Sequence, residues 1–210
     1  MSRRIAVVSG GLRQPSSTRL LADRMAEAVE RALREAGEDA VLDVVELRDH
    51  AQDLTAALLT GFATERLTSA LETITTADGL VAVTPIFSGS YSGLFKNAVD
   101  VLEDGALEGM PVLMGATAGT ARHSLALEHA VRPLFSYLRA ITVPTAVFAA
   151  TEDFGQAAGS TTGDVVPLGA RIDRGARELA ALVAGRPPRG AAGPRDPFAL
   201  TVNFEDLLGG

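Results

Sequence analysis

The 210-residue chain has no cysteine and no tryptophan, a single lysine (Lys96) and three histidines. Without cysteine there is no disulfide framework, no thiolate metal site and no cysteine nucleophile. Three histidines are a poor basis for an imidazole-built zinc site, and no metal is expected. No apolar run approaches the roughly 20 residues that span a bilayer. The opening MSRRIAVVSGG reaches glycines too soon to form the core of a signal peptide. No membrane association is expected, and the expected address is the cytoplasm. Basic residues are outnumbered, 19 against 26, which leaves a net charge of −7. The arginines are scattered rather than gathered in a stripe, which speaks against nucleic acid as a partner. What is present is an ordinary globular mixture, 47% hydrophobic and 21% charged. Its length suits one domain with a core of its own.

Short apolar runs alternate with longer periodic segments. Ile5-Ala6-Val7-Val8 is a buried-strand pattern that ends at Ser9-Gly10-Gly11. Leu21, Met25, Val29 and Leu33 step at i+4 and predict a helix over 18–36, with Gly37 where a C-terminal cap belongs. Strands are expected over 40–47, 79–83, 111–116 and 142–150. Helices are expected around Leu67, Leu71 and Ile74, then over 94–102, 124–139 and 172–183. Pro133 should kink the helix over 124–139 or cost it about 3 kcal/mol. Segment 152–168, rich in Gly and Thr, reads as a loop, and 185–197, with its repeated Pro and Gly, as a linker. Beyond it Phe198 and Phe204-Glu205-Asp206-Leu207-Leu208 carry apolar anchors suited to docking on the domain or a neighbouring subunit. Strand and helix in alternation mean βαβ units around a parallel sheet covered on both faces.

Three loops at strand ends hold the chemistry. Gly10-Gly11 followed by Arg13, Ser16, Ser17 and Thr18 offers flexible backbone, helix N–H groups, hydroxyls and a guanidinium, a set suited to a phosphate monoester. The same Ser-Ser-Thr also serves as a simple helix cap. Neither a Walker motif nor Gly-x-Gly-x-x-Gly is present. After the third strand, Pro85, Phe87 and Tyr91 can wall a flat ring, among Ser88, Gly89 and other small residues. They can equally be loop packing. After the fourth strand, Thr117-Ala118-Gly119 allows backbone to reach a planar ring, with Arg122 and His123 following. In a sheet of order 2-1-3-4-5, ligands bind at the switch point between strands one and three.

Together these strings resemble a known family. Pro85-Ile86-Phe87-Ser88-Gly89-Ser90-Tyr91-Ser92-Gly93-Leu94-Phe95-Lys96-Asn97 is similar to the P-(I/V)-(Y/F)-x-x-(S/T)-Y-(S/T)-G-x-(F/L)-K motif of NADPH-dependent FMN reductases. Residues 11–18 are similar to that family's phosphate loop, G-S-x-R-x-x-S-x-(S/T), with Gly11 where Ser is common. Residues 127–135, and the tail about Asp196-Pro197-Phe198 and Phe204 to Leu208, resemble the branch that supplies reduced FMN to luciferase-like and alkanesulfonate-type monooxygenases.

The resemblance implies a flavodoxin-like three-layer sandwich over 1–184, with a five-stranded parallel sheet of order 2-1-3-4-5, and a tail over 185–210. It places the FMN phosphate on Arg13, Ser16, Ser17 and Thr18, with backbone from Gly11 and Leu12. Pro85, Ile86, Phe87, Ser88, Gly89 and Tyr91 would hold one edge of the isoalloxazine. Thr117, Ala118 and Gly119 would meet its other side, with Arg122 and His123 near the ring or a subunit boundary. NADPH or NADH would give a hydride to the flavin, so that no side chain need be catalytic. The implied assembly is a homodimer or dimer of dimers, and the implied protein partner is a flavin-dependent monooxygenase. Two other activities fit the same loops: a flavin-retaining quinone, azo-dye or chromate reductase, and a flavodoxin-type electron carrier.

Overall fold

A computed structural model describes residues 2–155 and 166–189. Strand β1 (Ser2–Ser9) leads to α1 (Ser17–Glu35) and β2 (Asp39–Glu46). A 3-10 turn (Leu47–His50) then enters α2 (Ala51–Thr60), followed by α3 (Glu65–Thr75), β3 (Gly79–Phe87), the short β4 (Ser90–Tyr91) and α4 (Gly93–Asp100). The chain continues through β5 (Pro111–Ala118), α5 (Arg132–Tyr137), β6 (Ile141–Thr142), β7 (Val147–Ala150) and α6 (Leu168–Ala184). The strands run in the order β2-β1-β3-β5-β6, with β7 also beside β5 and β4 folded back on β3. Every pairing except β3 with β4 is parallel.

Each face of the sheet buries its own apolar layer. Ile5, Val7, Val81, Val83 and Leu113 pack under α1 and α6. Ala6, Val8, Ala82 and Met114 pack under α2 to α5, with Phe95 and Phe135 at the centre of that layer. Strands β1, β3 and β5 are covered on both sides, and their sequences are correspondingly apolar without alternation.

The three-layer flavodoxin-like class holds, but the expected five strands in the order 2-1-3-4-5 are corrected to seven among the described residues. Two local features account for the difference. The expected strand over 142–150 is broken: Val143 still donates to the Val112 carbonyl at 2.9 Å, but Pro144 has no N–H to continue the ladder. The break divides the fifth sheet position between β6 and β7. At the other strand, β3 runs past Pro85 to Phe87 and turns back through Ser88 (φ 51°) and Gly89 (φ 83°), so that Ile86 faces Tyr91 and Phe87 faces Ser90. Two consecutive positive-φ residues make the two-residue turn whose twist suits a hairpin.

Two helical expectations also change. The sequence reading places no helix over 51–60, where α2 forms and ends on Gly61 in the left-handed region. The long helix expected over 124–139 is divided by a π turn, Leu127–Val131, in which the Arg132 N–H reaches back to the Leu127 carbonyl. A new helix starts there, so Pro133 lies in a first turn, where its missing N–H costs little.

The first residues of the expected linker are tied to the domain. Arg186 donates to the Gly109 carbonyl at 2.7 Å, and its own carbonyl accepts from Arg3. Arg189 donates to the carbonyls of Thr75, Glu108 and Ala106. Residues 190–210, including the Phe198 and Phe204 anchors, lie outside the described residues, as does most of the expected loop over 152–168. Among the described residues no helix is long and apolar enough to cross a membrane.

Candidate functional site

Loops leave the carboxyl ends of β1, β3 and β5, three neighbours in the sheet. The first is locked to β3 at once: the Gly10 N–H donates to the Val83 carbonyl at 2.8 Å. Gly11 is buried, and a Cβ there would collide with Ser16 Oγ and stand 3.2 Å from the Cβ atoms of both Ser16 and Thr18. Only a residue without a side chain lets the loop fold this closely onto the start of α1. Ser16 is the N-cap and accepts from the Arg19 N–H at 3.2 Å. The first turn of α1 holds no acidic residue, and no carboxylate occurs in 10–18. The positive end of the helix dipole is therefore not neutralised from within the loop. Leu12, Arg13 and Ser17 are exposed. The Arg48 guanidinium donates to the Arg13 carbonyl at 3.3 Å and so holds the loop backbone.

The second loop is organised by Thr84. Its buried hydroxyl donates to the Pro85 carbonyl at 3.0 Å and accepts the Ser92 N–H at 3.1 Å. Ser92 in turn caps α4. Pro85 and Ile86 are buried, whereas Phe87 is 47% exposed at the rim, with Ser88 and Gly89 exposed beyond it. Tyr91 is half-buried, its ring 6.3 Å from that of Phe95.

The third loop joins the first through a buried hydrogen bond between Thr18 and Thr117, 2.8 Å from hydroxyl to hydroxyl. Ala118 is half-buried and Gly119 exposed. Arg122 and His123 form a short 3-10 turn (Ala121–His123), exposed beside Gly89, with which they line a cavity of about 290 Å³. All seventeen residues singled out in the sequence thus lie in the three loops or in the ends of α1, β3, β4 and β5 that border them, although Arg122 and His123 stand at the margin. Four participants are not among the residues singled out in the sequence: Ser9, Arg48, Thr84 and His129, which lines the same cavity.

The donor set suits FMN. Ser9 Oγ, at the end of β1, is buried with no hydrogen-bond partner among the described residues. Neutral hydroxyls, free helix N–H groups and the Arg13 guanidinium match a phosphate, and an exposed aromatic ring at the rim matches a flat heterocycle. Arg19, by contrast, is committed elsewhere: its hydrogen bond to Asp23 and the neighbouring Glu46 raise its pKa above the ordinary arginine value despite burial. A larger cavity of about 410 Å³ lies along β2 and α3, lined by Asp43, Glu46 and Asp49 together with Arg19, His50 and Arg66, and none of its lining residues belongs to the three loops. Among the described residues no group of His, Cys, Asp or Glu could hold a metal.

Residues 3–155 match the family model described as NADPH-dependent FMN reductase. The chain is 38% identical over 185 residues to an FMN reductase (NADPH) of Pseudomonas aeruginosa, covering 87% of this chain and 94% of that one. It is 38% identical over 184 residues to an NADH-dependent FMN reductase, SfnF, of Pseudomonas fluorescens, with the same coverage of each chain. An oxidoreductase from Corynebacterium diphtheriae, solved by X-ray crystallography, shares 46% identity with a TM-score of 0.83, covering 89% of this chain and 99% of that one.

Proposed function

The chain belongs to the NADPH-dependent FMN reductase family, and from that membership we propose that its three rim loops hold FMN while a reduced pyridine nucleotide delivers a hydride to it. When bound, FMN supplies the chemistry, by accepting the hydride, two electrons with one proton, from the nucleotide. The protein's part is to bind, orient and exclude water. The observation that carries this reading is the arrangement of the loops: a carboxylate-free, N–H-rich helix start after β1, joined through Thr18 and Thr117 to the loop after β5, with Phe87 exposed between them on β3.

In this reading Arg13, Ser16, Ser17 and Thr18, with the Gly11 and Leu12 backbone, hold the phosphate. Pro85 to Gly89 and Tyr91 support one side of the ring, and Thr117 to Gly119 the other. Reaction rate then depends on how well the loops fix the two rings against each other, which is a matter of orientation rather than of acid or base chemistry. The similarity of residues 127–135 to the monooxygenase-supplying branch favours a flavin-dependent monooxygenase as recipient of reduced FMN, and the resemblance to the family as a whole favours self-association as a dimer or dimer of dimers. A cytoplasmic address fits these partners.

The test is a titration of the purified protein with FMN, FAD and riboflavin, followed by oxidation of NADPH and NADH with each. FMN binding and FMN-dependent nucleotide oxidation are expected. A protein that neither binds FMN nor oxidises either nucleotide overturns the proposal. Flavin that survives dialysis, with quinone reduced faster than free FMN, would redirect it to the quinone reductase activity.

A further inference from the structure

Between the end of β1 and the N-cap of α1, the first loop has little to hold it. Among the described residues, the Arg13 carbonyl is the one backbone group of 12–15 with a hydrogen-bond partner, the Arg48 guanidinium. The Gln14 carboxamide, oriented so that its oxygen faces donors, accepts from the same guanidinium. Arg48 belongs to the turn after β2, and its side chain is only 18% exposed. It is fixed from behind: its Nε lies 2.9 Å from Glu46 Oε2 and 3.6 Å from Asp49 Oδ1. The other oxygen of Glu46 takes Arg19 at 2.5 Å, and Asp23 holds the same arginine at 2.7 Å. Glu46 thus joins the first turn of α1 to the turn after β2, and Arg48 ties the loop to that second turn. An arginine suits this place because its planar fork serves several acceptors at once, which a lysine does not.

We propose that Arg48 is a positioning residue for the FMN phosphate, a role that deepens the flavin reductase reading and rests on it. In that reading the exposed Arg13 side chain meets the phosphate. A loop whose backbone is unsecured must be ordered when its ligand arrives, and that ordering is subtracted from the affinity. Arg48, held by Glu46, sets the Arg13–Gln14 backbone beforehand. Its own guanidinium is occupied by Glu46, the Arg13 carbonyl and Gln14, so it acts through Arg13 rather than on the phosphate. Riboflavin, which has no phosphate, does not sense it. Preference for the phosphorylated flavin is then set partly from outside the three loops, by the turn that follows β2.

Titration with FMN and with riboflavin, followed by flavin fluorescence, reads binding without turnover. Arg48→Gln is expected to raise the FMN dissociation constant about tenfold and that of riboflavin by less than about twofold. Arg48→Lys, which keeps the charge but not the fork, is expected to recover part of that loss and not all of it. In an Arg13→Ala background, Arg48→Gln is expected to cost less than about threefold, because the side chain it positions is gone. Unchanged FMN affinity in Arg48→Gln overturns the proposal. Equal losses for FMN and riboflavin overturn it in favour of a structural role for the whole site. Full recovery by lysine overturns it in favour of a plain charge effect. Independent losses in the double variant overturn it in favour of direct contact with the phosphate. Should Arg48→Gln fail to fold, Arg48→Lys with the same two flavins decides: a loss confined to FMN supports the proposal, and no loss, or one shared by riboflavin, overturns it. A wild-type protein that binds FMN no better than riboflavin overturns the proposal and leaves the flavin reading intact. One that binds neither defeats that reading instead, and is recognised before any variant is made.

Discussion

The hydroxyls of Thr18 and Thr117 lie 2.8 Å apart, buried together, although 99 residues separate them. One belongs to the first turn of α1, the other to the end of β5. Between them they fix the distance across which the first and third loops face each other. Neither hydroxyl has another partner among the described residues, so each depends on the other for satisfaction.

Thr18→Val keeps the shape and removes one hydroxyl, stranding that of Thr117, which is only 4% exposed. The expected loss of stability is about 1–3 kcal/mol, read by urea denaturation. The double variant Thr18→Val with Thr117→Val should recover most of that loss, because no buried polar atom is then left unpaired. A double variant as unstable as the sum of the singles would show that the pair matters for packing and not for its hydrogen bond.

Gly11→Ala tests how closely the first loop is folded. The new methyl occupies the place of Ser16 Oγ and crowds Thr18. Ser16 must rotate away, and the cap on the Arg19 N–H is lost. The cost of a lost N-cap is about 0.5–2 kcal/mol. Thermal unfolding should show the decrease, and FMN titration a weaker affinity, since the same hydroxyl is proposed to serve the phosphate.

Much of this framework is legible in the amino-acid order, for a physical reason. Strands covered on both faces must be apolar throughout, so β1, β3 and β5 are plain in Ile5 to Val8, Leu80 to Val83 and Val112 to Met114. A helix on a sheet needs an i+4 stripe, so α1 is plain in Leu21 to Leu33. Helix α2 is not, because it buries only Leu54 and Ala57 and leaves Leu58 and Leu59 exposed. The β3–β4 hairpin is hidden because its turn uses Ser88 in the left-handed region, a residue with no strong preference for it. The three loops stand out by composition, since backbone-rich ligand contacts require glycine and small hydroxyl residues. Arg48 and His129 do not, since their places beside Arg13 and Gly89 arise from tertiary contacts between elements remote in sequence.

Arg13→Ala separates phosphate recognition from folding. The side chain is exposed and makes no hydrogen bond to a described residue, so the melting temperature of the ligand-free protein should not move. A charge-assisted contact to phosphate contributes roughly 1.5–3 kcal/mol. The FMN dissociation constant should therefore rise by about one to two orders of magnitude. Riboflavin, which lacks the phosphate, should bind wild type and variant alike. Equal FMN affinities would reduce the first loop to a helix cap.

Arg132 repairs the break in the sheet, and its pairing with Glu128 makes part of that repair depend on pH. Its guanidinium donates to Thr142 Oγ1 at 2.9 Å and to the carbonyls of Val143 and Pro144 at 3.1 Å each, where the ladder between β6 and β7 is interrupted. Glu128 holds it in place, and the hydrogen bond between them lowers the Glu128 pKa from its reference of 4.5. A depressed carboxyl pKa stabilises the folded protein in full above the unfolded value. That contribution disappears as pH falls through the folded value, below 4.5. Because Glu128 is about half exposed, solvent screening limits the pair to under about 1 kcal/mol. The stability difference between wild type and Glu128→Gln should accordingly be small at pH 7 and vanish toward pH 3. Arg132→Gln should cost more, about 1.5–3 kcal/mol at pH 7, because it also abandons the two carbonyls and the Thr142 hydroxyl. Most of that larger loss should persist at pH 3, since protonating Glu128 does nothing for the oxygens at the break. Denaturant unfolding of the three proteins across this range checks the sign, and a difference for Glu128→Gln that grows on acidification would contradict the assignment.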